Sequence, residues 1–262
     1  MLIQGAFEKA RHYIETHSKP DASRKYEFFP CITFSRETGA GADLIGERLV
    51  NYLEKFKLPG SPRWTIFDKN LITKVLEDFH LPMHLEKFLV EDKYSAVSSI
   101  ITELLTGEPS TWILVNKEIQ TVYRLGKIGN AIIIGRGSNF ITSKLKNSFH
   151  VRLVAPLEQR VKHVEELYNL DKREAALFIK KEDTARKNFV YSHFHKDLED
   201  PLHYHLVLNT ALLTHSQCAK IIGKAVLKRF KKLFAENIKS GNDIGLPPEI
   251  IQEWLKGLHK NN

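Results

Sequence analysis

The chain has little of what stabilises secreted proteins or carries proteins through membranes. It contains only two cysteines, Cys31 and Cys218, in 262 residues, too few for a disulfide framework or a four-cysteine metal site. We expect both to be buried packing residues. No apolar run approaches the roughly 18 to 20 residues that cross a bilayer, and the N-terminus has no apolar signal core. We therefore expect a cytoplasmic protein without a membrane partner.

A lysine is missing from a glycine-bearing loop. Residues 31–43 read CITFSRETGAGAD, a short apolar strand, a turn with Gly39 and Gly41, and the start of an amphipathic helix. Glycines let such a turn curl and direct several N–H groups at an anion beside the helix N-terminus. The phosphate loop GxxxxGK[ST] has this layout, but here Ala42 replaces its lysine. Asp43 replaces the hydroxyl residue that contacts magnesium.

Basic residues outnumber acidic ones. The 39 Lys+Arg and 31 Asp+Glu give a formal net charge of +8. This balance favours an anionic partner such as a nucleotide, RNA or an acidic membrane surface. Charge alone does not choose among these three.

Strand and helix signals alternate along the chain. Five short apolar runs, bounded by turn or polar residues, lie at Cys31–Ser35, Trp64–Phe67, Ala131–Ile134, His150–Val154 and His205–Leu208. Apolar residues at helical spacing follow the first run and recur between the others. This alternation predicts an α/β fold with a five-stranded parallel sheet.

The residues that follow each predicted strand are candidates for the site, because ligands of such sheets bind beyond the carboxyl ends of the strands. The first junction is the glycine loop, the second is Asp68-Lys69, and the third is the basic turn 135–137. The fourth begins a helix and contains Arg160, and the fifth is Asn209-Thr210. Charged and small residues thus gather at one edge of the sheet, which indicates a polyanion site.

The long second connection and both ends of the chain predict additions to a central domain. About residues 70–128 separate the second and third strands, far more than the roughly 10 to 15 residues of a simple crossover. We expect a helical cap over the substrate, with a packing or dimer arm as the alternative. Helical appendages are expected at residues 1–29 and 239–262, and the domain itself at residues 30–238.

A basic helical segment precedes the fifth strand. It spans Lys172–Tyr191 within a predicted lid at about residues 172–200, and it contains Lys181, Asp183 and Arg186. Lys181 and Arg186 are five residues apart, a spread that suits two cations approaching one large anion from either side. Phosphoryl transfer depends on positioning and charge neutralisation, so this segment could close over a phosphoryl group. The alternative is a surface helix with exposed ion pairs.

Four histidines crowd one region near the fifth strand: His193, His195, His203 and His205. No acidic residue or cysteine at a familiar spacing completes a metal site with them. We therefore predict no metal site there and expect surface or lid histidines.

Six segments occur in the order of a known family. They read ITFSRETGAG at 32–41, FDKNLI at 67–72, IIIGRG at 132–137, APLEQR at 155–160, KEDTAR at 181–186 and YHLVLNT at 204–210. Together they resemble the cytidylate kinase-like family of P-loop kinases over roughly residues 30 to 225. The resemblance implies a P-loop kinase-like, three-layer α/β/α fold with a five-stranded parallel sheet, a helical substrate cap and a basic lid. It also implies a phosphotransferase that uses ATP and Mg²⁺ and acts on a nucleoside monophosphate, with a CMP-like pyrimidine nucleotide as the expected acceptor.

The resemblance also implies roles for individual residues. Those expected to face the donor nucleotide are Ser35, Arg36, Gly39, Ala40, Gly41, Ala42, Asp43 and, near its base, Arg160. Those expected to face the acceptor nucleotide are Asp68, Gly135, Arg136 and Gly137. The expected catalytic set of the lid is Lys181, Asp183 and Arg186, with Arg186 as the transition-state clamp.

The loop departs from the pattern of the family that it resembles. Relatives often carry Gly-Ser-Gly-Gly-Arg where this chain has GAGAD at residues 39–43, so that arginine is absent as well. A carboxylate beside a phosphate is unfavourable, so Asp43 must turn away or bind magnesium, or the loop holds no triphosphate. Arg36 stands at the first glycine of GxxxxGK[ST]. We hypothesise that its guanidinium replaces the missing lysine through bidentate phosphate contacts.

Three functions stay open on the sequence alone. The first is an active nucleoside monophosphate kinase. The second is a catalytically weak or inactive relative that binds a nucleotide or a protein, an alternative motivated by Ala42 and Asp43. The third is a nucleic-acid-binding module, for which net charge is the main support, and we do not expect nucleic acid to be the partner. The sequence makes no prediction of the oligomeric state.

Overall fold

The computed structural model describes Tyr13 and residues 29–57, 61–68 and 111–232. Apart from Tyr13, the predicted N-terminal helix lies outside these residues, as do the C-terminal helix and most of the predicted cap. The domain boundaries at residues 29–30 and 238–239 therefore stay predictions.

Five strands form one parallel sheet. They are β1 (Cys31–Arg36), β2 (Thr65–Phe67), β3 (Ala131–Ile134), β4 (Ser148–Val154) and β5 (Leu206–Asn209). Their spatial order is β2-β3-β1-β4-β5, and every neighbouring pair is parallel. The predicted α/β fold with a five-stranded parallel sheet is confirmed, and each strand begins and ends within two residues of its predicted bounds.

The described residues form six α-helices. They are α1 (Ala42–Leu53), α2 (Thr111–Ile128), α3 (Ser138–Ile141), α4 (Leu157–Tyr168), α5 (Lys172–Phe194) and α6 (His215–Arg229). Helix α5 corresponds to the predicted basic segment. It begins with a capping box in which Asp171 and Glu174 exchange side-chain to backbone hydrogen bonds. None of the described helices is long and apolar enough to cross a membrane.

Helices cover both faces of the sheet. The larger core cluster joins one face of β1 and β3 to α1 and α6, with the side chains of Ile32, Phe34, Ile132, Ile134, Ile45, Leu49, Ile222 and Val226. The other cluster joins the opposite face to α2, with Cys31, Ala131, Ile133, Val122 and Leu125. Coverage of both faces explains why the strands read as uninterrupted apolar runs. Cys31 and Cys218 are fully buried, as predicted.

The central strand β1 positions the candidate site. It lies between β3 and β4, so the chain visits one side of β1 first and the other side later. The carboxyl end of β1 is therefore at the point where the strand order reverses, the position at which open α/β sheets bind ligands. The loops that follow β1, β3 and β4 meet there.

The turn after α2 packs tightly against residues 29–30, which precede β1. Gly129 has a φ of +80° just after the last residue of α2, a left-handed conformation that favours glycine. A Cβ at Gly129 would lie 1.9 Å from the carbonyl oxygen of Phe29. The next residue, Asn130, donates its backbone N–H to Pro30 at 2.6 Å. There is therefore no room for a side chain at position 129, where the turn contacts the backbone of Phe29.

We expect Gly129→Ala to lower the free energy of unfolding by about 2–4 kcal/mol, because it adds backbone strain and a clash with backbone. Gly46→Ala is the matched control, since its Cβ would meet only the flexible side-chain end of Ile66 at 3.2 Å. That variant is expected to stay within about 1 kcal/mol of the wild type. Urea unfolding of the three proteins measures both values, and equal stability of the two variants would contradict this account.

Candidate active site

The loop after β1 adopts the curled conformation that its glycines predict. Gly39 and Gly41 have φ of +84° and +76°. Gly41 is also the N-cap of α1, and no side chain caps that helix. A Cβ at Gly39 would lie 2.6 Å from the carbonyl oxygen of Arg160, so the loop packs directly on α4. The arrangement presents backbone N–H groups and a helix N-terminus to one side, as an anion site requires.

Glu37 fixes the beginning of this loop to β4. Its backbone N–H donates to Leu153 at 3.0 Å, and its Oε2 accepts the N–H of Ala155 at 2.9 Å. The same Oε2 lies 3.5 Å from Nε of Arg160. These contacts hold the loop to the strand and to the helix that follows it.

The side chains of Ala42 and Asp43, the two residues that depart from the phosphate-loop motif, lie in different environments. Ala42 is buried against the core, so its side chain does not replace the lysine as a phosphate ligand. The side chain of Asp43 is exposed to solvent and makes no hydrogen bond or ion pair with the described part of the chain. The chain thus lacks the lysine, and it holds the adjacent carboxylate at the solvent side of α1.

The carboxylate of Asp183, on α5, joins the loop to two arginines. Its Oδ1 accepts the backbone N–H of Thr38 at 2.9 Å, the Thr38 hydroxyl at 2.8 Å and Nη2 of Arg186 at 2.7 Å. Its Oδ2 accepts Nη1 of Arg160 at 2.7 Å. Arg186 Nη2 also donates to the Thr38 hydroxyl oxygen. One carboxylate therefore connects the loop, α4 and α5.

These contacts decide the charge of Asp183. Burial raises its pKa, but the hydrogen bonds from Thr38, Arg160 and Arg186 outweigh burial, and the net pKa lies below the ordinary value. Asp183 is therefore ionised at neutral pH, and Arg160, which is only 9% exposed, has a charged partner.

A cavity of about 250 Å³ opens beside the loop. Its walls come from the ends of β1 and β3, from the basic turn and α3, and from α5 and the segment after it: Ser35, Arg36, Ile134, Gly135, Arg136, Gly137, Asn139, Glu182, Ala185, Arg186, Phe189, Val190 and Leu198. Three arginines and one carboxylate thus face a cavity that is otherwise mostly apolar. This combination suits a ligand with an anionic group and a planar or apolar part.

Arg36 crosses from β1 to the basic turn after β3. Gly135 has a φ of +83°, and a Cβ there would lie 2.1 Å from Nη1 of Arg36. Among the described residues Arg36 has no hydrogen-bond or ion-pair partner. Glycine at position 135 therefore lets this guanidinium lie flat against the turn with its N–H groups available to a ligand.

Opposing influences act on the charge of Arg36. Burial, and next the positive charge of Arg186, lower the pKa of Arg36 to about 10. The carboxylates of Asp43, Glu182 and Asp68 act in the opposite direction. Arg36 remains a cation at neutral pH, and no carboxylate of the described residues is in direct contact with it.

The other two arginines of the cavity are held in place by carboxylates. Nη1 of Arg136 lies 3.1 Å from Glu118 on α2, and Nη1 of Arg186 lies 3.5 Å from Glu182. In each of these arginines Nε is buried and has no hydrogen-bond partner in the described part of the chain. Both side chains are thus oriented while part of their donor capacity stays unused.

A buried polar group supports the floor of the cavity. Arg152 of β4 is 4% exposed and donates from Nη1 to the hydroxyl oxygen of Ser35 at 2.9 Å. The Tyr204 hydroxyl lies 3.1 Å from the same oxygen and donates to the carbonyl of Leu198 at 2.7 Å. Ser35, expected to face the donor, therefore also joins β1 to the segment that follows α5.

The structure brings most of the sequence-predicted site residues together. Those that line the cavity are Ser35, Arg36, Gly135, Arg136, Gly137 and Arg186, and those in or against the loop are Gly39, Ala40, Gly41, Ala42, Asp43, Asp183 and Arg160. Asp68 lies just after β2, half-buried and outside the cavity lining. Lys181 is exposed and does not line the cavity.

Sequence analysis did not single out several residues that shape the site. Thr38 and Glu37 lie inside the predicted loop, but only the folded chain shows their contacts with α5 and β4. Glu182 adjoins a predicted residue, and its place in the cavity follows from the rotation of α5. Arg152 offered a usable signal, because a charged residue within a buried strand needs a polar partner.

The crowded histidines do not form a metal site in the part of the chain that is described. No group of three His, Cys, Asp or Glu side chains there could hold a metal ion. His205 instead stacks on Phe149 and accepts the backbone N–H of His150 at 2.9 Å. His203 packs edge-on against Phe140.

Comparison with known proteins relates the chain to one family. The profile of the cytidylate kinase-like family matches residues 31–212, more than half of the chain. This range contains the sheet, the loop after β1 and helix α5. No curated protein matches the chain.

Solved structures with similar coordinates differ in how well they superpose. An uncharacterized protein from Eubacterium ventriosum has a TM-score of 0.58 at 18% identity, with 78% of this chain and 99% of that chain covered. This likeness shows a shared fold. A shikimate kinase from Acinetobacter baumannii, in complex with shikimate, has a TM-score of 0.42 at 14% identity and coverages of 78% and 96%. A shikimate kinase from Bacteroides thetaiotaomicron has a TM-score of 0.41 at 15% identity and coverages of 77% and 98%.

We expect Asp183→Ala to lower the free energy of unfolding by about 2 kcal/mol at pH 7, because Arg160 loses the nearer of its two carboxylate partners and Thr38 and Arg186 lose their acceptor. The pKa of Asp183 is lowered in the folded chain. Its contribution is therefore complete above the pKa of the unfolded chain, about 3.9, and is lost as the pH falls through the lower folded pKa.

Urea unfolding of wild type and variant from pH 7 to pH 3 measures this dependence. The difference between them should stay constant down to about pH 5 and shrink at lower pH. Glu166→Ala, an exposed carboxylate on α4, is the control and should differ little from wild type at any pH. A difference for Asp183→Ala that is equally large at pH 3 and pH 7 would contradict the assignment.

Proposed function

The chain belongs to the cytidylate kinase-like family, and from this premise we propose that it transfers the γ-phosphoryl group of ATP to a nucleoside monophosphate, with a CMP-like pyrimidine nucleotide as the acceptor. The observation that carries the proposal is a glycine loop at the switch point of the sheet, directly beside a cavity with three arginines. Phosphoryl transfer needs chiefly in-line positioning and neutralisation of developing charge, and in this proposal the loop and the arginines would supply both.

The loop supports binding of the donor. The backbone N–H groups of Gly39, Gly41, Ala42 and Asp43 make no hydrogen bond with the described part of the chain. They lie at the N-terminus of α1, where the helix dipole favours an anion. In this proposal Arg36 supplies the positive charge that Ala42 does not, because an arginine fork binds two phosphate oxygens at once.

The cavity supports binding of the acceptor. Arg136 would bind the acceptor phosphate, with its guanidinium oriented by Glu118. Ile134, Phe189 and Leu198 form an apolar wall for the base. The volume of about 250 Å³ is below the roughly 300–1,000 Å³ of most ligand cavities, which favours the smaller pyrimidine over a purine.

The proposed reaction breaks one P–O bond and forms another. An oxygen of the acceptor phosphate attacks the γ-phosphorus of ATP, the bond from this phosphorus to the bridging oxygen breaks, and ADP leaves. A phosphate monoester is mostly dianionic at pH 7, since its second pKa is about 6, so no general base is required. Arg36 and Arg186, which both face the cavity, would balance the negative charge that builds up between donor and acceptor.

Magnesium would be held mainly by the nucleotide. Kinase sites usually bind Mg²⁺ through one or two carboxylates together with substrate phosphates. The carboxylates that would fit this pattern are Asp43, in the first turn of α1, and Asp68, just after β2. The ion would neutralise phosphate charge, and these side chains would orient it.

A second candidate is a weak or inactive relative that binds a nucleotide. It is favoured by Ala42 in place of lysine and by the engagement of Thr38 with Asp183 rather than with solvent. In this case the loop and Arg36 would bind phosphates while turnover is slow or absent.

A coupled assay for ADP release separates the two candidates. We expect turnover with ATP and CMP or dCMP, and a kcat/KM at least about tenfold lower with AMP, because the cavity is small. UMP tests the choice between pyrimidines. Absence of ADP release with all four acceptors would exclude the kinase, and calorimetric binding of ATP in that case would identify the second candidate.

We expect Arg36→Ala to lower kcat/KM by about 100-fold or more, because a cation next to the transferred phosphoryl group is removed. Arg36→Lys should recover part of this loss, since it keeps the charge without the bidentate fork. Arg63→Ala, at an exposed site before β2, is the control for loss of one positive charge. Unchanged kinetics in Arg36→Ala, with native melting temperature, would refute this role.

A further inference from the structure

The groups that surround Asp183 are those that bind a phosphate in other proteins. A backbone N–H of a glycine loop, a hydroxyl and two guanidinium groups converge on its carboxylate at 2.7–2.9 Å. Charge-assisted donors of this kind bind carboxylates and phosphates with the same geometry. The carboxylate therefore takes the place that an oxyanion would take on this part of the loop.

The carboxylate occupies one end of the loop and leaves the other end open. Thr38 is at the end nearest the cavity, since its hydroxyl also contacts Arg186, which lines the cavity. At the far end, the N–H groups of Gly41, Ala42 and Asp43 have no hydrogen-bond partner among the described residues. A chain of phosphates along the loop would meet free donors at one end and a bound carboxylate at the other.

We propose that Asp183 is an internal anion that determines the length of the phosphate chain the loop accepts. The proposal rests on the proposed function, in which the transferred phosphoryl group lies between the loop and the cavity and so at the Thr38 end. A diphosphate binds the open end and leaves Asp183 in place. A triphosphate binds fully only when Asp183 releases Thr38, and its terminal phosphate then takes the donors that the carboxylate has left.

When the terminal phosphate replaces the Asp183 carboxylate, both arginines keep an anionic partner. Arg160 and Arg186 hold Asp183 in the resting chain, and in the exchanged state they hold the terminal phosphate. The apparent affinity for a triphosphate equals the intrinsic affinity multiplied by the fraction of chains in which the contact is open. Removal of the carboxylate charge raises that fraction and leaves the diphosphate end unaffected.

The chain offers a variant and a matched control for this inference. Asp183→Asn removes the charge and keeps the shape of the side chain. Glu166→Gln removes one negative charge from an exposed position of α4. Calorimetric titration of wild type and both variants uses four probes: ADP, ATP, inorganic diphosphate and inorganic triphosphate.

We expect Asp183→Asn to bind ATP and inorganic triphosphate about tenfold more tightly than wild type. This factor corresponds to a wild type in which the contact between Asp183 and Thr38 is closed in about nine chains of ten. Its affinity for ADP and inorganic diphosphate should change less than about twofold, and Glu166→Gln should reproduce wild type with all four probes. Triphosphate affinity in Asp183→Asn that equals or falls below that of wild type would overturn the inference.

The wild-type chain provides the same test without a substitution. The carboxyl carbon resonance of Asp183 should shift when inorganic triphosphate is added and stay in place when diphosphate is added. Equal shifts, or none with either probe, would overturn the inference. If triphosphate displaces Asp183 but no acceptor is phosphorylated, the proposed function fails and the inference stands. If turnover occurs while Asp183 is insensitive to triphosphate, the inference fails and the proposed function stands.

Discussion

Four donors meet at the carboxylate of Asp183, and this contact fixes the positions of three elements relative to one another. Thr38 belongs to the loop after β1, Arg160 belongs to α4, and Asp183 belongs to α5 together with Arg186. Each guanidinium is only partly exposed, so its charge needs a partner close by. The carboxylate thus holds the loop and the arginines of α4 and α5 in one arrangement, and preorganised charge of this kind is what phosphoryl transfer requires.

The loss of the loop lysine is accompanied by a different distribution of positive charge. Position 42 is a buried alanine, and the cations near the loop come instead from β1, from the turn after β3 and from α5. Arg36 is the cation with no direct carboxylate partner in the described part of the chain, and its position depends on a glycine at residue 135. The curled loop and its nearby cations are therefore present although the motif is incomplete.

The fold was predictable from the sequence, because parallel strands buried on both faces read as short apolar runs between turn residues. The position of the site followed from the rule that strand ends bind ligands. The partners of Asp183 were not predictable, since helical spacing tells which side chains share a face and not which loop that face meets. The five-residue spacing of Lys181 and Arg186 led us to expect both at one large anion, whereas only Arg186 lines the cavity. Arg152 was missed although a charge inside a buried strand is a signal for a polar partner.

A double-mutant cycle between Arg160 and Asp183 tests most directly whether this carboxylate joins the helix to the loop. The free energy of unfolding is measured for wild type, Arg160→Met, Asp183→Ala and the double variant at pH 7. The account predicts a favourable coupling of about 1–3 kcal/mol between the two side chains, because they form a partly buried ion pair at 2.7 Å that each single change removes. A coupling within about 0.3 kcal/mol of zero would contradict it.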